Sequence, residues 1–175
     1  MIDDKRMKFI KSIDGFDLFL FSPSLFRHYY NKKEEWTPHR KSITHHIHMM
    51  LYHIRGGYKI LYMMDGNNIA AYIVFARCGK TVIKDSTRND IYTVYVTTHP
   101  DYRMRGLAKE IVHEMLSGIG LDYDNAYKAI EDSNIGSQRA AYANGYKVLY
   151  QAKKSRVLKT ISQSNSGDWR LYALR

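Results

Sequence analysis

The stretch that decides the fold reads Tyr102-Arg103-Met104-Arg105-Gly106-Leu107-Ala108. It lies between residues 91–98, whose Tyr, Val and Thr content is typical of a β-strand, and residues 108–116, which have the apolar spacing of a helix. A glycine turn at a helix N-terminus exposes several backbone N–H groups, and the helix macrodipole also favours an anion there. The stretch therefore predicts an anion-binding turn that suits a pyrophosphate.

Two common phosphate-binding motifs do not fit this turn. No Gly-Lys-Ser/Thr follows, as a P-loop requires, and the G-x-G-x-x-G spacing of a dinucleotide-binding fold is missing. A second element follows about 30 residues downstream. It reads Asn134-Ile135-Gly136-Ser137-Gln138-Arg139-Ala140-Ala141-Tyr142-Ala143-Asn144-Gly145-Tyr146.

Together, residues 99–108 and 134–146 resemble the two signature blocks of the GNAT superfamily of acyl-CoA-dependent N-acyltransferases. The resemblance covers residues 69–149, and the second block is most similar to the branch that includes the ribosomal-protein N-terminal acetyltransferases. It implies an acetyl-CoA-dependent N-acetyltransferase, in which a primary amine attacks the thioester directly in a ternary complex. Ala108 stands where the family more often has a second glycine, a change that the family tolerates.

The resemblance also implies which residues hold the cofactor. The pyrophosphate of coenzyme A would lie on a turn that we call the 103–108 turn. In the GNAT fold two neighbouring strands splay apart, and the pantetheine arm pairs with exposed backbone in the gap, as an added strand would. The implied cofactor-binding residues are Val96, Thr98, Arg103, Met104, Arg105, Gly106, Leu107, Ala108, Asn134 and Ser137.

The acid that protonates the departing thiolate has two candidates. Many relatives carry a tyrosine where this chain has Ala141, and Tyr142 lies one residue later, a rotation of about 100° on a helix. In the branch named above, the serine of Asn-x-x-Ser sits near the sulfur, so Ser137 is the first candidate and Tyr142 the second. Each also has a structural interpretation: Ser137 as a first-turn residue bonded to nearby backbone, and Tyr142 as a half-buried packing residue.

No general base stands out from the sequence. Asp90 and His99 lie at the two ends of the predicted central strand, while Glu131 and Asp132 end the neighbouring one, and all four are also typical loop or cap residues.

Four histidines, His45, His46, His48 and His53, fall within one predicted helix. His46 and His53 share a flank of its apolar stripe but lie two turns, or about 10 Å, apart, too far for one ion. His45 and His48 point away from the stripe. We therefore expect no metal, and His46 and His53 are candidates for lining the acceptor groove.

The order of the elements predicts an α/β (α+β) fold and matches the GNAT architecture, with a mixed, mostly antiparallel sheet of about six or seven strands and about four helices. One helix opens at Thr37 and Pro38 and stops at Gly56 and Gly57. Its predicted buried face is Ile43, Ile47, Met50, Leu51 and Ile54. The other helices are expected at 25–30, 106–117 and 135–143, the strands at 16–21, 59–64, 69–77, 91–98, 126–131, 146–157 and 169–174, and a flexible loop at 162–167.

Composition bounds the remaining possibilities. With 175 residues, 45% hydrophobic and 25% charged, residues 1–175 suit one domain. The longest apolar run near the N-terminus, 16–21, contains Asp17 and is too short for a membrane span or a signal peptide, so we expect a soluble, cytoplasmic monomer or homodimer. The single cysteine, Cys78, excludes an intramolecular disulfide and suits a small hydrophobe at a strand end.

The net charge of +10 suits nucleic acid, an anionic surface or the phosphates of coenzyme A. It leaves open an alternative function, a non-catalytic GNAT-like module that binds nucleic acid or a partner through its basic surface, although the intact turn favours the enzyme. The acceptor is a small-molecule or peptide amine, and polycations are disfavoured by charge. By analogy with the family, Trp36, His39, His46 and Tyr52 would contribute to the acceptor side.

Overall fold

The computed structural model describes residues 4–30, 43–78, 82–83, 86–155, 158 and 160–175. Within those residues the chain forms one nine-stranded sheet and three α-helices, which confirms the predicted α+β class with somewhat more strands and fewer helices than expected. The helices are α1 Ile43–Ile54, α2 Leu107–His113 and α3 Ile135–Ala143. The strands are β1 Met7–Ile13, β2 Phe16–Phe21, β3 Tyr58–Asp65, β4 Asn68–Arg77, β5 Ile91–Thr98, β6 Ala126–Glu131, β7 Lys147–Lys154, β8 Ile161–Gln163 and β9 Trp169–Leu174.

The strands lie in the order β1-β2-β3-β4-β5-β6-β9-β7-β8. Among the pairs formed by these named strands, β5 and β6 run parallel and the others run antiparallel. Because the carboxyl ends of parallel neighbours meet at one edge of a sheet, the segments that follow β5 and β6 emerge side by side. This topology brings the 103–108 turn and Asn134 to the same edge.

A bulge and a short ladder open β5 away from β6. Val74 pairs with Tyr95 and Phe75 with Thr93, so that Val94 is an extra residue in β5, and such a bulge bends its strand. The ladder between β5 and β6 ends at the pair Thr93 and Lys128. Residues 94–98 therefore pair with β4 on one side and, among the described residues, with no strand on the other, which is the splay that the GNAT resemblance implied.

The sheet is covered on both faces. The middle strand β3 alternates between the two cores, with Ile60 and Tyr62 on the face of α1, and Leu61 and Met63 on the face of α2 and α3. Because both faces are buried, β3 and β4 are nearly continuous apolar runs, as strands of a two-sided sheet should be. Cys78 is buried just after β4, as expected.

Several predicted elements agree with the structure. The hairpin of β3 and β4 turns at Gly66. The elements β5, β6, α3 and β9 have the expected bounds. Helix α1 ends as predicted, with Gly57 N–H bonded to Tyr52 O and His53 O at 3.1 Å. The predicted start at Thr37 and Pro38 lies outside the described residues.

Other predicted elements are wrong. Residues 25–30 form an irregular segment with bends rather than a helix. The strand at 16–21 has its predicted bounds, but an unpredicted strand, β1, precedes it at the edge of the sheet. The loop expected at 162–167 begins inside β8, and α2 ends at His113, where a π-helical turn, Glu114–Gly118, follows. The described part of the predicted strand 146–157 is β7, which ends at Lys154.

The buried face predicted for α1 is also wrong. The three isoleucines of that stripe are instead exposed, Ile43 by 80%, Ile47 by 50% and Ile54 by 71%, and Met50 and Leu51 are only partly buried. The helix buries the neighbouring stripe, in which Met49 and Tyr52 are the most covered residues and His45 and His48 are partly covered.

The reason lies in the sheet face beneath α1, which is rich in tyrosine, so that imidazole and phenol groups find polar partners there. No helix in the part of the chain that the structure describes is both long and apolar enough to cross a membrane.

Candidate active site

The 103–108 turn follows β5 through a short 3-10 helix, Pro100–Tyr102. His99 N–H extends the ladder to Ala70 O at 2.8 Å, and the His99 side chain caps the 3-10 helix by accepting from Asp101 N at 3.3 Å. Two residues of the turn have positive φ, Met104 at 63° and Gly106 at 79°. The chain therefore reverses sharply just before α2, with Gly106 as the N-cap residue.

Four backbone donors at this turn have no acceptor in the described part of the chain. The first helical bonds run from Lys109 N and Glu110 N to Gly106 O, at 2.9 and 3.1 Å. Among the described residues, no hydrogen bond uses the N–H of Arg105, Gly106, Leu107 or Ala108. Leu107 is buried and anchors the helix start, whereas Met104 is fully exposed. The turn thus presents a row of free N–H groups at a helix N-terminus, the arrangement that binds anions.

Asn134 and Ser137 lie at the start of α3, on the same edge of the sheet. Asn134 Oδ1 accepts from Ser137 N at 3.0 Å and so caps the helix. The local hydrogen bond expected for Ser137 is therefore made by its backbone N–H, to the Asn134 side chain, and not by its hydroxyl. Within the described part of the chain, the Ser137 hydroxyl has no hydrogen-bond partner. That hydroxyl is available for a ligand.

Tyr142 is placed differently from Ser137. Ala141, at the position where many relatives carry tyrosine, is fully buried in the core under α3. Tyr142 is 52% exposed, and its ring meets Tyr172 of β9 edge-to-face at 5.6 Å. Burial, with a smaller effect of Tyr142, raises the pKa of Tyr172 to about 12. The ring contact is the packing role that the sequence left open for Tyr142.

Val96 and Thr98 lie in the unpaired part of β5, opposite Ile73 and Ala71 of β4. Both are partly buried, and in the part of the chain that the structure describes their strand has no partner on the β6 side beyond Thr93. An extended ligand with amide groups could add to this edge as a strand does.

The four candidate bases have structural roles or lie exposed. The Asp90 carboxylate accepts from Thr87 N at 2.7 Å and from Asn125 Nδ2 at 2.8 Å, and so organises the loop before β5. Asp132 pairs with Arg170 at 2.9 Å, His99 is the cap described above, and Glu131 is exposed. The structure does not bring them together.

A polar cluster that sequence reasoning missed lies on the α1 face of the sheet. Tyr29 Oη bonds both His45 Nε2 and Tyr95 Oη, and the His45 and Tyr29 rings stack with centroids 5.8 Å apart. The three residues come from α1, the segment after β2, and the bulge of β5. The abundance of tyrosine, 15 residues, was a signal, but no periodicity links positions so far apart in sequence.

Three other histidines, His28, His46 and His53, lie around Tyr58. His28 Nδ1 lies 2.8 Å from Tyr58 Oη, and the rings of His46 and His28 are 5.4 Å apart, with His53 beside Tyr58 at 6.4 Å. Burial, followed by the nearby His46 and His53, lowers the pKa of His28. In the described part of the chain, no three His, Cys, Asp or Glu side chains form a group that could hold a metal ion. Trp36 and His39, expected on the acceptor side, lie outside the described residues.

Two lysines lie near the divergence of β5 and β6, Lys128 buried and Lys154 partly buried. Lys128, in the last pair of that ladder, is 6% exposed, and burial lowers its pKa to about 8. Lys154 Nζ lies 4.6 Å from the ring centroid of Trp169 and 6.0 Å from that of Tyr92, and burial likewise lowers its pKa to about 8. Both sites are therefore unusually costly for a positive charge.

No protein-family model matches this sequence, and no curated protein matches it either. Solved structures do match. The IAA acetyltransferase from Bacillus cereus ATCC 14579 has a TM-score of 0.58 at 10% identity, over 90% of this chain and 98% of that one. A putative acetyltransferase of the GNAT family from Desulfovibrio desulfuricans has a TM-score of 0.57 at 12% identity, over 82% and 87% of the two chains.

A third match is the microcin C7 self-immunity acetyltransferase MccE, solved in complex with acetyl-CoA and AMP, with a TM-score of 0.56 at 13% identity over 90% of this chain and 91% of that one. At these identities the likeness is one of fold. The chain has the GNAT fold, as the two sequence blocks implied.

Proposed function

We propose that the protein is an acetyl-CoA-dependent N-acetyltransferase. The observation that carries the proposal is the coincidence, on a GNAT fold, of two ligand-ready backbone surfaces on one sheet edge. One is the row of free N–H groups from Arg105 to Ala108, and the other is the edge of β5 left unpaired beyond Thr93. The match to MccE, which was solved with acetyl-CoA, supports the same cofactor.

The two surfaces suit the two ends of coenzyme A. The pyrophosphate would accept hydrogen bonds from the 103–108 turn, with Arg103 and Arg105 adding charge beside it. The pantetheine amides would pair with β5 at Val96 and Thr98. Asn134 and Ser137, which begin α3 at the same edge, would flank the arm where it nears its sulfur.

The chemistry would then be attack of a neutral amine on the thioester carbonyl. An alkyl amine with a pKa near 10 arrives mostly protonated at neutral pH, so a proton must be removed before attack. The oxyanion formed on the carbonyl needs N–H donors aimed at it, which backbone near Val96 can supply. Ser137 is the first candidate for the acid that protonates the leaving thiolate, and Tyr142 the second.

The acceptor is a small-molecule or peptide amine, and amino sugars, polyamines, antibiotics, amino acids and protein N-termini remain in the set to be tested. The net charge of +10 disfavours polycations within that set. We place the protein in the cytoplasm, as a monomer or homodimer, without a metal.

Calorimetric titration tests the donor half of the proposal. Acetyl-CoA should bind, while the acetyl thioester of N-acetylcysteamine, which carries the thioester without the pyrophosphate, should bind far more weakly. Thiol release measured with a panel of primary amines tests the transfer. No acetyl-CoA binding at millimolar ligand would overturn the proposal. Steeply salt-dependent binding to DNA or RNA, with no thiol release for any amine, would favour the non-catalytic module.

A further inference from the structure

Three polar side chains form a continuous chain on the α1 face of the sheet. Tyr95 Oη bonds Tyr29 Oη, which in turn bonds His45 Nε2. Tyr29 is 7% exposed, whereas His45 on α1 is partly exposed. The chain therefore leads from a residue of the central strand, through a buried phenol, to an imidazole that reaches solvent.

The inner end of this chain lies beside the proposed reaction site. Tyr95 is at the bulge of β5, directly before Val96 and in the part of the strand that has left β6. Its ring belongs to the core under α1, while α2 and α3, which begin at the cofactor edge, cover the opposite face. A donor held in the gap between β5 and β6 would thus have its phosphates on one face and the Tyr95 phenol on the other.

We propose that Tyr95, Tyr29 and His45 take up the proton that the acceptor amine loses, with His45 as the terminal base. This inference rests on the proposed function. Tyr95 would contact the amine and act as the catalytic residue. Tyr29 and His45 would act through it.

The hydrogen bonds permit one direction of transfer before the reaction. If His45 is neutral with its proton on Nδ1, Nε2 accepts from Tyr29, and Tyr29 Oη accepts from Tyr95. Tyr95 Oη is then left with a lone pair for the ammonium of the acceptor. One proton passes from nitrogen to Tyr95 as Tyr95 donates to Tyr29 and Tyr29 to His45, and His45 becomes an imidazolium that releases the proton to water.

The acyl transfer itself moves one further proton, from the nitrogen to the thiolate. The neutral amine attacks the thioester carbonyl carbon, an N–C bond forms, and the C–S bond breaks. The nitrogen loses its second proton, and the thiolate gains one to become the thiol. The products are the acetamide, free coenzyme A and one proton delivered to solvent, with no redox change.

The tyrosines suit a conducting role better than a storing one. Burial, followed by the proximity of Tyr29 and Tyr72, raises the pKa of Tyr95 well above that of a free phenol, so it does not hold a negative charge near neutral pH. Imidazole is the side chain that changes charge near neutrality. The His45 ring contacts Tyr29, Tyr95 and His46, and none of these three side chains is a carboxylate that would neutralise an imidazolium.

The test compares Tyr29→Phe, Tyr95→Phe and His45→Gln with the wild type, using the alkyl amine that gives the fastest thiol release in the panel. We expect each variant to lower kcat by roughly 10²- to 10⁴-fold, the usual contribution of a positioned base, with an unchanged dissociation constant for acetyl-CoA. Matched controls are Tyr62→Phe, which also removes a buried hydroxyl under α1, and His48→Gln, one turn along the same helix face. Both should keep the wild-type kcat.

Two readouts separate a proton relay from a merely structural role. The acid limb of the wild-type pH profile should disappear in His45→Gln. Hydroxylamine, a small nucleophile that is largely neutral at pH 7, should be acetylated by the three variants at close to the wild-type rate, because it needs no proton removed before attack. A structural defect would slow both nucleophiles equally.

The outcomes distinguish the two proposals. If wild-type protein transfers acetyl but Tyr29→Phe and Tyr95→Phe match it in kcat and pH profile, the relay is wrong and the function stands. If the variants slow hydroxylamine as much as the alkyl amine, the relay is also wrong. If wild-type protein binds no acetyl-CoA, or releases no thiol with any amine, the function fails and the relay with it.

Discussion

Tyr102 Oη donates a 2.8 Å hydrogen bond to Asp65 Oδ2, and this bond ties the 103–108 turn to the end of the β3–β4 hairpin. The Asp65 carboxylate raises the pKa of Tyr102 because the bond favours the protonated phenol. The Tyr102 ring also meets Phe16 at 6.1 Å and carries the Arg105 guanidinium at 5.2 Å. Tyr102 thus holds the backbone donors of the turn against the sheet.

We expect Tyr102→Phe to weaken acetyl-CoA binding more than it weakens the fold. Loss of one partly exposed hydrogen bond should cost about 1 kcal/mol of unfolding free energy, while a looser turn should raise the acetyl-CoA dissociation constant several-fold. Tyr123→Phe is the matched control, because its hydroxyl bonds Leu116 O at 3.2 Å, away from the turn. Calorimetry and urea unfolding measure the two effects. Equal acetyl-CoA affinities in the two variants would contradict the anchoring role.

Gly106 should be irreplaceable for its backbone conformation rather than for lack of space. Its φ is +79°, and an added Cβ would meet nothing within 4 Å. Gly106→Ala should therefore cost about 1–2 kcal/mol of stability through left-handed strain. Gly15, in the β1–β2 turn, has a φ of +83° and equally open space. Gly15→Ala should cost a similar amount of stability yet leave the acetyl-CoA affinity unchanged. Gly106→Ala should lower both the stability and the acetyl-CoA affinity. Equal affinities in titrations of the two variants would remove the turn from the cofactor site.

The parts of the fold that could be predicted are those in which local pattern and tertiary environment agree. The glycine at 106, the Gly56-Gly57 stop and the alternation-free runs of β3 and β4 each reflect a constraint that acts within a few residues. The buried face of α1 could not be predicted in this way, because Ile43 and Ile47 outrank His45 in hydrophobicity. Which stripe is buried depends on Tyr29 and Tyr95, which are distant in sequence.

The same distinction applies to β8 and to the proposed proton relay. β8 has three residues and exists through its pairing with β7, and no sequence window of that length specifies a strand. For the proposed cofactor site, two blocks of about ten residues each carried the prediction, because the residues that would contact the ligand are close together in sequence within each block. The cluster of Tyr29, Tyr95 and His45 is instead assembled from three separate parts of the chain, and no sequence block marks it.

Lys128 should destabilise the protein near neutral pH. Its folded pKa of about 8 lies below the value of 10.5 for a free lysine, so between these limits the unfolded state binds more protons and stability rises with pH. Lys128→Met should add about 1–2 kcal/mol at pH 7, because the buried charge is removed at similar volume. The substitution should also reduce the rise in unfolding free energy between pH 8 and 10.5. The rise that remains would come from Lys154, whose pKa is also lowered. Urea unfolding at pH 7, 8.5 and 10 measures both, and a less stable variant at pH 7 would contradict the argument.

His28 should make the protein sensitive to acid. Because its folded pKa is lowered from 6.5, the folded state binds less proton than the unfolded chain once the pH falls through 6.5. Stability should therefore decline from pH 7 towards pH 5, and less so in His28→Gln, which keeps a polar group near Tyr58. His113→Gln, on the exposed side of α2, is the control and should decline as the wild type does. Thermal unfolding measures the stability of the three proteins across this pH range. Parallel declines in all three would exclude His28 as the source of the acid sensitivity.

Ser137 and Tyr142 should differ sharply as candidates for the acid. The Ser137 hydroxyl has no internal partner in the described part of the chain and lies in the first turn of α3, at the edge proposed for the cofactor. The Tyr142 ring instead contacts Tyr172 of β9. Ser137→Ala should lower kcat by about 10²-fold, the lower end for a general acid, because a thiolate of pKa near 8.5 leaves tolerably without help. Tyr142→Phe keeps the ring contact and should leave kcat unchanged.

Steady-state thiol release for the two variants, with acetyl-CoA affinity measured alongside, decides between these candidates. A loss of kcat in Tyr142→Phe alone would assign the role of general acid to Tyr142. The Tyr142 ring would then have to move towards the gap between β5 and β6 when the cofactor binds. Unchanged kcat in both variants would mean that the thiolate leaves unassisted. In that case proton removal from the amine would be the step on which protein side chains act, and the variants of Tyr95 and Tyr29 would carry the larger share of the rate effect.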